Sequence, residues 1–393
     1  MPGVTFPAGR SRRCGRPVLQ AASVEGPRLC LGRVHTALAG ERLPVAVALE
    51  LCSYVIVIGV RGVFLVCSRV CPLLTLCCFL GLLFFANGVR FLSCHLPCPR
   101  SRHPQLGIKI TTSLEDEPMG TAGPLKVAEK HLNDGEPFFV LNSDVTCDFP
   151  FQAMIDFHKK TGAEGTLLVT KVTDPSKFGV ILYDDAGKIS QFVEKPQDFV
   201  GDRINAGIYL LSPGVFDRIE LRPTSIEKEV FPIMAKESKL FCMELPGFWA
   251  DVGQPADFRS GTALNLASLR ESAPDTLASG EPFEGNVMVA PDAVIGKGCR
   301  IGPDVVVGPG CVVGDGVRLV RSTLLGGSRI GGNSYVADSI VGWSSKIGEW
   351  ARLCNGCVLG EDVSIKSEVC ASGATVLPHK SVSADIMSPK IVL

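Results

Sequence analysis

A six-residue beat runs through the last quarter of the chain: Ile295-Gly296, Ile301-Gly302, Val307-Gly308 and Val313-Gly314. Val289 precedes them, and Leu319, Leu325-Gly326, Ile347-Gly348, Leu353, Leu359-Gly360 and Ile365 carry the beat on. A branched apolar residue followed by a small one, repeated in this way, fits a parallel β-helix: each short face sends one side chain inward and turns at the next residue. The period fixes an architecture for residues 285–393 and leaves the chemistry open, because such coils serve as spacers and assembly surfaces more often than as active sites.

The rest of the chain divides by charge. Residues 1–104 contain twelve Arg, no Lys, no Asp and three Glu, whereas the remainder has 27 basic residues against 37 acidic ones. That first segment also holds nine of the sixteen Cys. Arginine without lysine, abundant Cys, Leu and Pro, and no periodicity read as translated non-coding or alternatively spliced sequence rather than as part of a family fold. The uncharged run from Val70 to Val89 has the length to cross a bilayer, and this reading is ranked second. The seven later Cys are scattered, and Cys354 and Cys357 have no second pair or His nearby to complete a zinc site, so a reducing compartment is the simpler expectation.

Residues 105–270 alternate strand-like and helix-like runs. PFFVLNSD (Pro137 to Asp144) reads as a buried strand, Phe151 to Lys160 as a helix with Met154, Ile155 and Phe157 inward, and Thr166 to Val172 as a strand. The alternation predicts a largely parallel sheet with helices on both faces and ligands at the carboxyl ends of strands. Asp144 falls at such an end. An Asp there either caps the following helix or holds a divalent cation against phosphate, and Asp251 in GFWADVG supplies the second carboxylate that a magnesium site needs. Three further runs suit a phosphorylated ligand. EPMGTAGPL (Glu117 to Leu125) offers backbone N–H groups with little side chain in the way. FVEKP places Glu194 and Lys195 at a strand end, where the lysine can neutralise phosphate or simply face water. INAGIYLLSP sets Asn205 and Gly207 just before an apolar strand, to read hydroxyls or to close a turn.

These runs, in this order and followed by a hexapeptide tail, resemble the sugar-nucleotide pyrophosphorylases. PTSIEKEVFPIMA (Pro223 to Ala235) and VLPHKS (Val376 to Ser381) narrow the resemblance to the mannose-1-phosphate guanylyltransferases of the catalytic beta type. The resemblance implies a Rossmann-like α/β nucleotide-diphospho-sugar transferase domain followed by a left-handed parallel β-helix. It also implies formation of GDP-mannose and pyrophosphate from GTP and mannose 1-phosphate, in the cytoplasm. By the same analogy Asp144 and Asp251 bind Mg²⁺, Lys195 is catalytic, and Gly120, Thr121, Asn142, Gly179, Glu194, Asn205 and Gly207 bind substrate. The partners implied are further copies of the chain or a regulatory paralogue, with neither nucleic acid nor membrane. The family's opening glycine-rich loop, GGxGTRLxPLTxxxPKP, does not occur between Met1 and Pro104, which implies impaired catalysis and unpaired strand edges. The alternative is a non-catalytic regulatory subunit. An acyltransferase, the other common owner of hexapeptide coils, needs a general base beside them; no His lies between Lys159 and Pro378.

Overall fold

The computed structural model describes residues 55–58, 63–68, 109–114 and 117–393. Strands β1 (Val55–Ile58), β2 (Val63–Ser68) and β3 (Lys109–Leu114) open the sheet, and helix α1 (Gly123–Ala128) follows. Then come β4 (Phe138–Asn142), β5 (Val145–Cys147), α2 (Phe151–Thr161), β6 (Gly165–Lys171), β7 (Gly179–Tyr183), β8 (Ile189–Glu194) and β9 (Arg203–Leu211). Helix α3 (Phe231–Lys236), β10 (Leu240–Glu244), β11 (Trp249–Asp251) and α4 (Pro255–Ser272) complete this part.

The main sheet runs β10-β6-β9-β4-β1-β2-β3, with β7 pairing β8 and β9. Its central strands β4, β6 and β9 are largely buried on both faces. Phe138 and Val140 of β4 pack in one core with Leu125, Tyr209 and Phe231, while Phe139 and Leu141 pack in the other with Phe151 and Met154. Helices α1 and α3 close the first face and α2 closes the second, as period-two strands with two apolar faces require.

Three expectations change here. The sheet is mixed rather than largely parallel: β4 pairs with β1 and β6 with β10 in parallel, but β9 runs antiparallel between β6 and β4. Hydrophobic runs report burial and carry no strand direction, so the sequence could not show this. The inward stripe of α2 is Phe151, Met154, Ile155 and His158, at helical spacing, and Phe157 is only partly buried. Asn205 and Gly207 lie within β9 rather than before it. On the other side of β4, β1 occupies the edge that missing first strands would leave open, and β2 and β3 extend the sheet beyond it. The apolar run from Val70 to Val89 lies outside the described residues. Among the described residues no helix is long and apolar enough to cross a membrane.

Residues 287–392 form three parallel sheets of seven, six and five strands. Val287 pairs with Val305 and Val306 with Thr323, so a coil is 18 or 17 residues long. Inward residues such as Ile301, Val307, Leu319, Val336, Leu353 and Leu359 are almost wholly buried and form one continuous core. The beat is not uniform. It shortens to five residues between Leu319 and Leu324, Val336 and Val341, and Ala371 and Val376; Leu324, not Leu325, pairs with Val307. The short steps occur at one corner, where Arg321 (φ 42°), Asp338 (φ 51°) and Gly373 (φ 65°) take left-handed backbone. Ser322 and Ser339 turn the chain there by donating their hydroxyls to the carbonyls of Val320 (2.7 Å) and Ala337 (2.6 Å).

One titratable group is built into the sandwich. His158 is 4% exposed, with ring nitrogens 2.8 Å from Thr166 Oγ1 and 3.0 Å from Ser212 Oγ. Burial lowers its pKa from 6.5 to about 4. Between those values the unfolded chain takes up a proton that the native one refuses, so native stability falls as pH drops through this window and is unaffected above it. Urea midpoints should show the protein about 2 kcal/mol less stable at pH 5 than at pH 7 from this group, and His158→Gln should flatten the slope.

Candidate active site

Asp144 occupies the turn that joins β4 to β5, and β5 pairs antiparallel with β11 so that Asp251 lies opposite Val145. Two bonds donated by backbone N–H groups lock the junction. Val252 N–H donates to the Asp144 carbonyl at 2.7 Å, and Gly253 N–H donates to Asp251 Oδ1 at 2.9 Å. Both carboxylates flank Gly253: a Cβ placed there would stand 3.1 Å from Asp251 Oδ1 and 3.7 Å from Asp144 Oδ2. Burial, and then the negative charge of Asp251, push the Asp144 carboxyl above its usual range. Among the described residues no Lys or Arg pairs with either acid, and no group of three or more His, Cys, Asp or Glu forms a ligand cage. Two neighbouring carboxylates with no Lys or Arg partner are donors of the kind a divalent cation takes alongside phosphate and water oxygens. The indole of Trp249 anchors β11 to the sheet by donating to the Ala206 carbonyl at 3.0 Å, with Phe178 edge-on to its ring.

The second group stands at the end of β8. Glu194 pairs across the hairpin with Gly179, where a Cβ would come 2.8 Å from Glu194 Oε2 and 2.9 Å from Phe192 Cζ. Only glycine leaves that carboxylate its place. Lys195 follows with φ 48°, its N–H bonded to the Phe178 carbonyl at 3.1 Å. Its ammonium is 3.9 Å from Glu194 Oε1, and the side chain is 64% exposed, free to reach an arriving phosphate. Glu194 is held above the usual carboxylate range by burial and by the charge of Glu227.

Glu227 belongs to the π-helical turn Ile226–Val230 and was not singled out from the sequence. Its Oε2 accepts from Thr121 Oγ1 at 2.6 Å and Ser225 Oγ at 2.9 Å, while Ile226 N–H donates to Thr121 Oγ1 at 2.9 Å. The hydroxyl of Thr121 is thus engaged in joining two loops. Gly120, at φ 74°, bridges to Thr224, whose carbonyl a Cβ would strike. On β9, Asn205 donates to the Tyr209 hydroxyl at 2.8 Å and accepts from Gly207 N–H at 3.0 Å. Tyr209 is fully buried; burial first, then Glu227, and more weakly Glu194 and Asp144, hold its phenol well above the ordinary range. The Tyr209 hydroxyl thus holds the Asn205 side-chain amide from within the core. Neither Tyr209 nor Glu227 carried a signal of its own: the first reads as core in an apolar strand, the second as one charge among several in IEKEV.

Asn142 ends β4 and packs over Gly207, where an added Cβ would meet its Nδ2 at 2.7 Å. Because Gly207 also has φ 74°, Gly207→Ala should cost about 1–2 kcal/mol from backbone strain alone. Denaturant titration should show that loss, and the displaced Asn142 should weaken ligand binding in the same variant.

Two family models cover most of the described chain: nucleotidyl transferase over residues 100–267 and the GMPPB C-terminal domain over residues 283–392. The mannose-1-phosphate guanylyltransferase catalytic subunit beta of Danio rerio is 54% identical over 296 residues, covering 75% of this chain and 82% of the relative. Probable mannose-1-phosphate guanylyltransferase 1 of Oryza sativa subsp. japonica is 56% identical over 292 residues, covering 74% and 81%. Among solved structures, HddC from Yersinia pseudotuberculosis is 25% identical with a TM-score of 0.32, covering 37% of this chain and 63% of that one. Nucleotidyltransferases of this kind generally use a divalent metal, in keeping with the paired carboxylates. By the extent and identity of these matches, the chain belongs to the mannose-1-phosphate guanylyltransferase family, with a Rossmann-like nucleotidyltransferase domain followed by a parallel β-helix.

Proposed function

We propose that this chain forms GDP-mannose and pyrophosphate from GTP and mannose 1-phosphate, and that it does so slowly. The observation that carries the chemistry is the convergence of Asp144 and Asp251 around Gly253. Mg²⁺ held by this pair would neutralise charge on the triphosphate and align its α-phosphate. The reaction is an in-line attack by the sugar phosphate, which needs positioning and charge compensation more than covalent help. Lys195, exposed and aimed by Glu194, suits the sugar phosphate and the charge that builds during transfer. Glu194, Asn205 and Gly207 are assigned to the mannose side; Gly120, Thr121, Asn142 and Gly179 shape the walls, several of them through the close approaches described above.

The reason for slowness lies between β1 and β2. Only four residues, Gly-Val-Arg-Gly at 59–62, separate these strands, and no glycine-rich phosphate loop occurs in the sequence. Its backbone donors and basic side chains are lost to the triphosphate, and losing one such donor typically costs about 10²–10³-fold in rate. The same gap favours the second reading, a regulatory subunit that binds sugar nucleotide without turning it over. Cytoplasmic residence fits the seven cysteines beyond residue 105, all free thiols. Assembly with further copies or with an active paralogue is the expected context.

Magnesium-dependent pyrophosphate release from the purified chain should run at least about 10²-fold below that of the Danio rerio relative. Asp251→Asn should abolish the residual rate while leaving the urea midpoint within about 1 kcal/mol, since one repulsive charge is removed. Turnover equal to the relative's would refute the impairment; ligand binding with no turnover would establish the regulatory reading.

A further inference from the structure

Among the described residues, Cys354 and Cys357 are the cysteines closest in sequence, and no third His, Cys, Asp or Glu joins them to make a metal site. They flank a corner of the β-helix that departs from its neighbours. Core residues Leu353 and Leu359 are six positions apart, whereas the equivalent residues one coil before and one coil after, Val336 with Val341 and Ala371 with Val376, are five apart. The coil carries one residue more here, and Asn355 (φ 57°) and Gly356 (φ 85°) take left-handed backbone in succession. Two such residues together double a chain back within four positions. A disulfide asks for α-carbons about 4.4–6.8 Å apart, a span that such a reversal supplies.

The two thiols converge on one acceptor. Cys354 Sγ lies 3.9 Å and Cys357 Sγ 3.3 Å from the Ala371 carbonyl oxygen, and Cys357 Sγ is 3.2 Å from the Cys354 carbonyl oxygen. Their surroundings differ: Cys354 is half-buried, Cys357 is fully buried, and burial pushes the Cys357 thiol up. Cys357 also occupies the column of Ser322 and Ser339, since Thr323 N–H donates to the Ser339 carbonyl and Ile340 N–H to the Cys357 carbonyl. A thiol there can be oxidised, as the serine hydroxyls cannot.

We propose that Cys354 and Cys357 form a reversible dithiol–disulfide couple, a modification site for low-molecular-weight disulfides of the glutathione kind. The more accessible Cys354 reacts first: its thiolate attacks one sulfur of the oxidant, and the other sulfur leaves as a thiolate that takes up a proton. Cys357 then gives up its proton, attacks the Cys354 sulfur and expels the second thiolate, which is protonated in turn. Two cysteine thiols are oxidised to one disulfide, and one molecule of oxidant is reduced to two thiols. Because the thiolate is the nucleophile and burial disfavours it, closure by Cys357 is the slower step. The new bond draws Cys357 Sγ from the Ala371 carbonyl at a corner that faces α4, where a Cβ on Gly356 would stand 3.7 Å from Arg259 Nη2. The proposal stands apart from the catalytic assignment.

Trypsin releases both cysteines in one peptide, residues 353–366, which contains no other cysteine. After the reduced full chain is held in excess glutathione disulfide, mass spectrometry should find two hydrogens lost from this peptide, and its uptake of iodoacetamide should fall at least about tenfold. Dithiothreitol should restore both. Cys357→Ser should instead leave Cys354 carrying one glutathione, and Cys354→Ser should leave Cys357 unmodified until the chain is unfolded. Serine at 357 matches Ser322 and Ser339 in the same column, so that variant should keep the circular dichroism of the wild type. A wild-type peptide that keeps both thiols, one that holds glutathione without closing, or a bond from Cys354 to Cys370 would overturn the proposal. So would a Cys357→Ser chain that takes up no glutathione at Cys354, or a folded Cys354→Ser chain that takes it up at Cys357. None of these results touches the nucleotidyltransferase reading, which pyrophosphate release tests separately.

Discussion

Three residues of antiparallel ladder, β5 against β11, bring together groups more than a hundred positions apart in sequence. Asp144 owes its position to the end of a strand buried on both faces, and Asp251 owes its position to that ladder. The bond from Val252 to the Asp144 carbonyl and the seat of Trp249 on Ala206 fix the join. Without it the two carboxylates would be separate surface acids, each satisfied by water. With it they repel one another in a partly dry place, a cost that a divalent cation and phosphate oxygens can reverse. The rest of the site is arranged around that local excess of negative charge, with the cations Lys195 and Lys228 near Glu194 partly offsetting it.

Glycine serves two distinct purposes in this arrangement. At Gly179 and Gly253 the absent side chain leaves space for a carboxylate, whereas at Gly120 and Gly207 the backbone itself requires left-handed torsion and closely approaches a neighbour. The first kind protects chemistry and the second protects shape. Thr121 shows the same division: a residue that resemblance assigns to the nucleotide spends its hydroxyl on Glu227 and Ile226 N–H. Its influence on substrate would therefore run through the loop it holds together.

Much of this was legible in the residues. The six-residue beat exposed the β-helix because each corner demands a small or left-handed residue, and such demands print a period. The acid pair was legible because strand ends of an α/β sheet are where ligands gather and both runs carried the marks of strand ends. What was hidden had physical reasons. Direction is absent from hydrophobic pattern, so the antiparallel β9 did not show. Tyr209 looks like core because most of it is core, with only its hydroxyl reaching Asn205. The first two shortened corners escaped because Arg321-Ser322 and Asp338-Ser339 carry neither glycine nor proline; the serine hydroxyls do the turning.

Those shortened corners also govern how the two halves of the molecule meet. The first two lie along the edge where α4 passes, and Ile340, just beyond one of them, packs with Phe258 of α4 and with Val252, the residue that follows Asp251. Ala256, Arg259 and Ser260 of α4 line a cavity there together with Arg321, Ser322 and Asp338, and Arg321 joins successive coils through both oxygens of Asp338. The packed contact between the β-helix and the carboxylate junction is the one made by Ile340. A load applied to the distal coils would be felt, through Ile340 and Val252, within one residue of Asp251.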